Sequence, residues 1–169
     1  MKKTPAAMVA FGGMMAAVAV VIMNLIGLIP VATFVCPMLC MMILTLVVRF
    51  CGRRIGWAWY GAVAILSILL APDKEAAAIF VFLGFYPMLK PSFDRLRNGM
   101  ILKLLFFNSI ILMMYWLLIH LFGFDQIAKE YAELGLIMTI ITLVMGNMIF
   151  YLLDKILGRI AIMTKWGRK

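Results

Sequence analysis

Apolar residues fill this chain in long runs, and the polar and charged residues gather in short clusters between them. Between Lys3 and Arg49 there is no charged residue at all. That stretch is long enough for two membrane helices of about 20 residues each. The clusters divide the chain into six apolar segments: about Ala6–Leu28, closed by Gly27 and Pro30, then Val31–Val48, Ile55–Ala71, Glu75–Leu89, Ile101–Phe124 and Leu134–Ile156. The pattern therefore predicts an all-α polytopic membrane protein, a single domain of six transmembrane helices over residues 1–169. The fourth segment is the shortest, at roughly 15 residues, and Pro87 is placed to kink it beside Tyr86.

Composition supports lipid as the solvent. Of the 169 residues 66% are hydrophobic and 14% charged, with mean hydropathy +1.10. A water-soluble domain of this size needs far more polar surface. Lys2 and Lys3 before an apolar run imitate a secretory signal, but the run is too long for one and further spans follow, so it reads as a retained first helix.

The net charge of +9 changes meaning once its carriers are placed. With six spans and the N-terminus inside, 14 of the 16 basic residues fall on the inner side, including Arg49, Arg53, Arg54, Lys90, Arg95, Arg97 and Lys103. The outer side keeps Lys74 and Lys129 with five of the seven acids: Asp73, Glu75, Asp125, Glu130 and Glu133. Basic loops stay cytoplasmic, so both termini are expected inside. The charge is first a topology signal, with anionic inner-leaflet lipid as its counter-charge and no nucleic-acid partner. The inner loop Lys90–Met100 has the composition of an interfacial helix, Phe93 and Leu96 toward lipid and Arg95 and Arg97 toward water. The outer loop from Asp125 has a similar amphipathic character, and the chain shows no convincing internal repeat.

No catalytic set converges in the sequence, so no enzymatic activity and no cofactor are expected. His120 is the only histidine, near the outer end of the fifth segment. It fits an interfacial residue bonded to backbone or water better than a ligand-lining one. Cys36 and Cys40 lie one helical turn apart without a third ligand, and read as small packing residues, not a metal site. The Gly-rich elements lie within apolar helices, so there is no phosphate-cradling loop.

Three features remain. The first segment carries small-xxx-small pairs at Ala6/Ala10, Gly12/Ala16 and Gly13/Ala17, which let another helix approach closely. Such pairs serve packing within the chain's own bundle or docking of a partner. Polar residues within the membrane are costly: Asn24, Asn108 and Asn147 suit interhelical hydrogen bonds, and Asp154 suits an interfacial pair with Lys155. Finally, the turn Ala71-Pro72-Asp73-Lys74-Glu75 separates two short segments. Its acids suit the positive start of the fourth helix, which accounts for them structurally. Alternatively, the short hairpin leaves an outer recess floored by Asp73, Lys74 and Glu75, fit for a polar small molecule.

A small, basic, six-span chain with alanine-rich packing pairs on its first helix and no ATPase of its own resembles the substrate-binding S component of energy-coupling factor (ECF) vitamin transporters. That resemblance implies a membrane-embedded subunit that binds a micronutrient near the outer face. A transmembrane coupling subunit and cytoplasmic ATPases would energise it in a bacterial cell membrane. Carried over, Ala6, Ala10, Gly13, Ala16 and Ala17 become the partner-docking face. Asn24, Asp73, Lys74, Glu75, Trp116 and His120 become the substrate-side candidates. Two alternatives stay open: a scaffold or assembly protein without ligand, and a lipid-handling protein that draws anionic headgroups to Arg53, Arg54 and Arg95.

Overall fold

The computed structural model describes residues 4–25, 32–96, 99–120, 140 and 143–160. Every regular element among them is helical: α1 (Pro5–Asn24), α2 (Ala32–Cys51), α3 (Arg53–Leu70), α4 (Lys74–Leu83), α5 (Tyr86–Phe93), α6 (Gly99–His120) and a last helix, α7, over residues 143–160. Among the described residues four stretches are long and apolar enough to cross a membrane: Pro5–Asn24, Thr33–Cys51, Lys74–Phe93 and Gly99–Leu117. α3 opens on Arg53 and Arg54, and α7 carries Asp154, Lys155 and Arg159. The sequence-predicted ends of the first and fifth segments, much of the sixth and the outer amphipathic loop lie outside the described residues.

Pro5 starts α1, where its missing N–H leaves no hydrogen bond unmade. The inner face of α1 is built from small groups. Gly12 and Ala19 are buried, and a methyl added at Gly12 would touch Ile55 of α3. Cys51 of α2 donates its thiol to the Met8 carbonyl at 3.3 Å, and Cys40 donates to the Ala19 carbonyl at 3.5 Å. These cysteines are helix-packing residues that let α2 lie close along α1. α2 is the central helix, in contact with α1, α3, α4 and α5.

The α2–α3 connection is tighter than the sequence predicts, a single residue. Gly52 has φ 93°, in the left-handed region that glycine adopts without a Cβ clash. Its N–H donates to the Val48 carbonyl, and its own carbonyl receives the Gly56 N–H, each at 3.0 Å, so the one residue closes the last turn of α2 and opens the first turn of α3. One turn into α3, Gly56 lies so near Val48 that a methyl there would collide with it.

The predicted fourth segment is longer than its apolar run. α4 and α5 follow one another with only Gly84 and Phe85 between them, both in right-handed helical conformation. Pro87 has no N–H to continue the ladder and Met88 bonds instead to Phe85 at 3.0 Å, so the helix breaks without reversing direction. Lys90 extends it because this lysine is buried on the inward side. Among the described residues the stretch after Phe93 is a turn over 94–96, not a helix, and Phe93 ends α5 and turns inward, its ring 5.3 Å from that of Phe106. At 18 and 20 residues, α3 and the stretch Lys74–Phe93 are each longer than the apolar runs read from the sequence, and the second is long and apolar enough to cross a membrane.

α6 and α7 run antiparallel in a register fixed by three pairings. The rings of Phe107 and Phe150 stack at 4.6 Å. Beside them Asn108 and Asn147 exchange amide hydrogen bonds of 3.1 and 2.8 Å. Lys103 reaches Asp154 one turn further on. Gly146 leaves room for the Phe107 ring, which a side chain would press at 3.2 Å.

Candidate functional sites at the two ends of the bundle

Polar side chains collect at two opposite ends of this apolar bundle, and the two ends differ in charge. One end brings together the start of α2, the α3–α4 turn and the far half of α6. The other brings together the end of α2, the start of α3, the end of α5, the start of α6 and the end of α7.

The first end holds the turn picked out by the sequence, and each of its charged side chains is engaged. Asp73 is the N-cap of α4: its Oδ1 accepts from the backbone N–H of Glu75 at 2.9 Å and of Ala76 at 3.3 Å. Its other oxygen accepts from the Thr33 hydroxyl at 2.8 Å, tying the turn to α2. The Lys74 ammonium folds back over the end of α3 and donates to the carbonyls of Ile68 and Ala71 at 2.9 and 3.1 Å. These are carbonyls that a helix end leaves without an intrahelical partner, and a cation also suits their partial negative charge. Glu75 accepts from the Tyr115 hydroxyl of α6. The turn thus fastens α3 and α4 to α2 and α6.

Asn24 is exposed and donates to the Val20 carbonyl of its own helix at 2.9 Å. Trp116 adjoins Tyr115 in sequence and is 61% exposed. His120 closes α6, and its side chain lies outside the described residues. Of the proposed docking residues, Ala6, Ala10, Gly13 and Ala17 are exposed along one side of α1, and Ala16 packs partly against the core. A methyl at Gly13 would meet nothing within 4 Å. Gly12, one position away, faces inward instead. The small residues of α1 therefore serve two sides, one used inside the bundle and one open.

The second end holds an arrangement that sequence reasoning missed. Tyr86, Lys90 and Asp94 recur every four residues, which stacks them along one side of α5 and the turn after it. Asp154 of α7 meets that stack: its Oδ1 accepts from the Tyr86 hydroxyl and the Lys90 ammonium. Its Oδ2 accepts from Lys103 of α6 at 3.1 Å. Lys103 also donates to Asp94, whose second oxygen lies 3.5 Å from Lys90. Two ammonium groups and two carboxylates thus interlock α5, α6 and α7. The side chains of Lys90, Lys103 and Asp154 are only 11%, 6% and 13% exposed, while Asp94 is 47% exposed and marks the rim.

Aromatic rings close the inner side of this cluster. Tyr86 is fully buried, its ring 4.8 Å from Phe150 and 6.5 Å from Phe93. Charges so enclosed are stable only when paired, and each of the three buried ones has an opposite partner. The pairing of Asp154 expected with its neighbour Lys155 is not formed. On the helix Lys155 points about 100° away and is exposed, whereas Asp154 shares the inward side with Phe150 and Leu157.

Beside the cluster lies a recess of about 250 Å³, lined by Thr45, Val48, Arg49, Pro87, Lys90, Pro91, Asp94 and Leu157. Among the described residues Arg49 makes no ion pair, so the recess has one uncommitted guanidinium next to a balanced four-charge cluster. No group of three metal-ligating side chains occurs among the described residues.

The chain matches no protein-family model, no curated protein and no solved structure.

Proposed function

We propose that the protein is a membrane-embedded substrate-binding subunit of a micronutrient uptake transporter, of the type to which ECF S components belong. It would cross the membrane six times with both termini cytoplasmic, and partner ATPases would energise it through a transmembrane coupling subunit. The observation that carries this reading is the open side of α1. Ala6, Ala10, Gly13 and Ala17 form an exposed strip on which another helix can lie at backbone distance. Small residues of this kind drive close helix association in lipid, where apolar side chains gain little by leaving their neighbours.

In this reading the two ends divide the work. The fastening of Asp73, Thr33, Glu75 and Tyr115 lies on the outer side, where a polar ligand would compete for the same donors and acceptors. The cationic end faces the cytoplasm, as its Arg49, Arg53, Arg54, Arg95, Lys155 and Arg159 favour. Chemistry on the substrate is not part of the proposal.

Affinity purification in mild detergent tests it, with identification of co-purified proteins and small molecules. ATPase subunits together with a bound micronutrient are the expected result. A membrane partner without ATPases or ligand would favour an assembly role on the same α1 surface. Purification of the chain alone would refute both.

A further inference from the structure

The recess between α2, α5 and α7 is independent of the transport reading, and its chemistry is specific. Arg49 and Lys90 line it from two helices, Thr45 adds a hydroxyl, and Val48, Pro87, Pro91 and Leu157 supply an apolar wall. Thr45 donates its proton to the Met41 carbonyl at 3.0 Å, so its contribution to a ligand as it stands is an acceptor. Lys90 and Asp94 are already balanced within the buried cluster, whereas Arg49 lacks an ion pair among the described residues. The recess is therefore net positive through one guanidinium, whose planar fork of donors matches the oxygens of a phosphate. Asp94 on the rim is already engaged by Lys103 and Lys90, so it leaves the guanidinium as the unbalanced charge of the recess. A volume of about 250 Å³ admits a phosphate with a few attached carbons, and the apolar wall suits those carbons. The surroundings agree, because Arg53, Arg54, Lys155 and Arg159 are exposed at the same end and would attract anionic headgroups.

We propose that this recess is a binding site for a phosphate ester, with Arg49 as its main anion contact. The ester belongs either to an anionic membrane lipid or to a small soluble molecule. Native mass spectrometry of the full-length purified protein tests the site, with added phosphatidylglycerol, phosphatidylcholine or glycerol phosphate as probes. The expected result is retention of one phosphatidylglycerol in preference to phosphatidylcholine, reduced about tenfold by Arg49→Gln. Arg49→Lys should restore part of it, since the charge returns without the fork. Arg54→Gln, which removes an exposed cation outside the recess, should leave it unchanged. Retention of glycerol phosphate with displacement of the lipid would assign the same site to a soluble ester. Equal losses from Arg49→Gln and Arg54→Gln would overturn the proposal, because they would show only diffuse attraction to a basic surface. Failure of every phosphate probe to bind the wild-type protein would overturn it too. A thermal melt of each variant identifies any loss that reflects misfolding.

Discussion

Removing Asp154 is the most informative perturbation of the charged cluster. Asp154→Ala takes away the carboxylate that Lys90 and Lys103 share, and leaves two ammonium groups in a space where each is about nine-tenths buried. Breaking a buried ion pair by deleting one partner costs about 3–5 kcal/mol. Asp94 still reaches both lysines, but it is nearly half exposed and screened, so it offsets only part of the loss. The lower end, about 3 kcal/mol, is expected. For a chain of this size that corresponds to a fall in Tm of about 6–12 °C. Asp154→Asn should lie between, since an amide oxygen still accepts from Tyr86 but carries no charge. The protein carries its own reporter: Cys36, Cys40 and Cys51 are all buried, so a thiol-reactive dye stays dark until the bundle opens. Lys155→Ala, at the exposed neighbour, is the control and should shift the melt by no more than about 0.5 kcal/mol. An Asp154→Ala melt within about 2 °C of wild type would refute the cluster as a fastening of α5, α6 and α7. Replacing Asp154, Lys90 and Lys103 together by Leu, Met and Met should recover most of the lost stability, because no buried charge then lacks a partner.

Three further perturbations probe separate joints. Asp73→Ala removes the α4 N-cap and the Thr33 acceptor, and should cost about 1–2 kcal/mol in the same melt, whereas Asp73→Ser should retain much of the cap. Gly52→Ala forces a Cβ into the left-handed one-residue turn and should cost about 1–3 kcal/mol; a neutral result would mean the turn readily adopts another conformation. A double-mutant cycle of Asn108→Ala and Asn147→Ala should give a coupling of about 0.6–1.7 kcal/mol, the range for polar pairs between membrane helices, and additive losses would argue against the reciprocal bond.

The apolar runs made the helical class and most helix bounds legible, because lipid leaves little choice but helix for a long apolar segment. They misled where a buried charge hides within a helix. Lys90 looked like the start of a loop because lysine is a boundary signal, yet it is the inward-facing fourth residue after Tyr86. Lys103 interrupts the apolar start of α6, and in the sequence it reads only as a topology charge. Its partners Asp94 and Asp154 lie 9 and 51 residues away, and the second distance carries no local pattern. The four-residue recurrence of Tyr86, Lys90 and Asp94 was the one readable hint. At the α3–α4 turn the capping role of Asp73 was legible from its position. Thr33 and Tyr115, which complete the fastening, come from other helices and were not.

The proposed role requires the open side of α1 to be the surface through which the protein would engage a larger transport assembly. Photo-crosslinking in intact membranes tests it most directly, with a photoreactive residue placed at Ala10 or, as a control, at exposed Ala62 on α3. The account predicts a discrete protein adduct from Ala10, absent from Ala62, whose captured partner co-purifies with ATPase subunits. Adducts of equal yield from both positions, or adducts with lipid alone from Ala10, would contradict it.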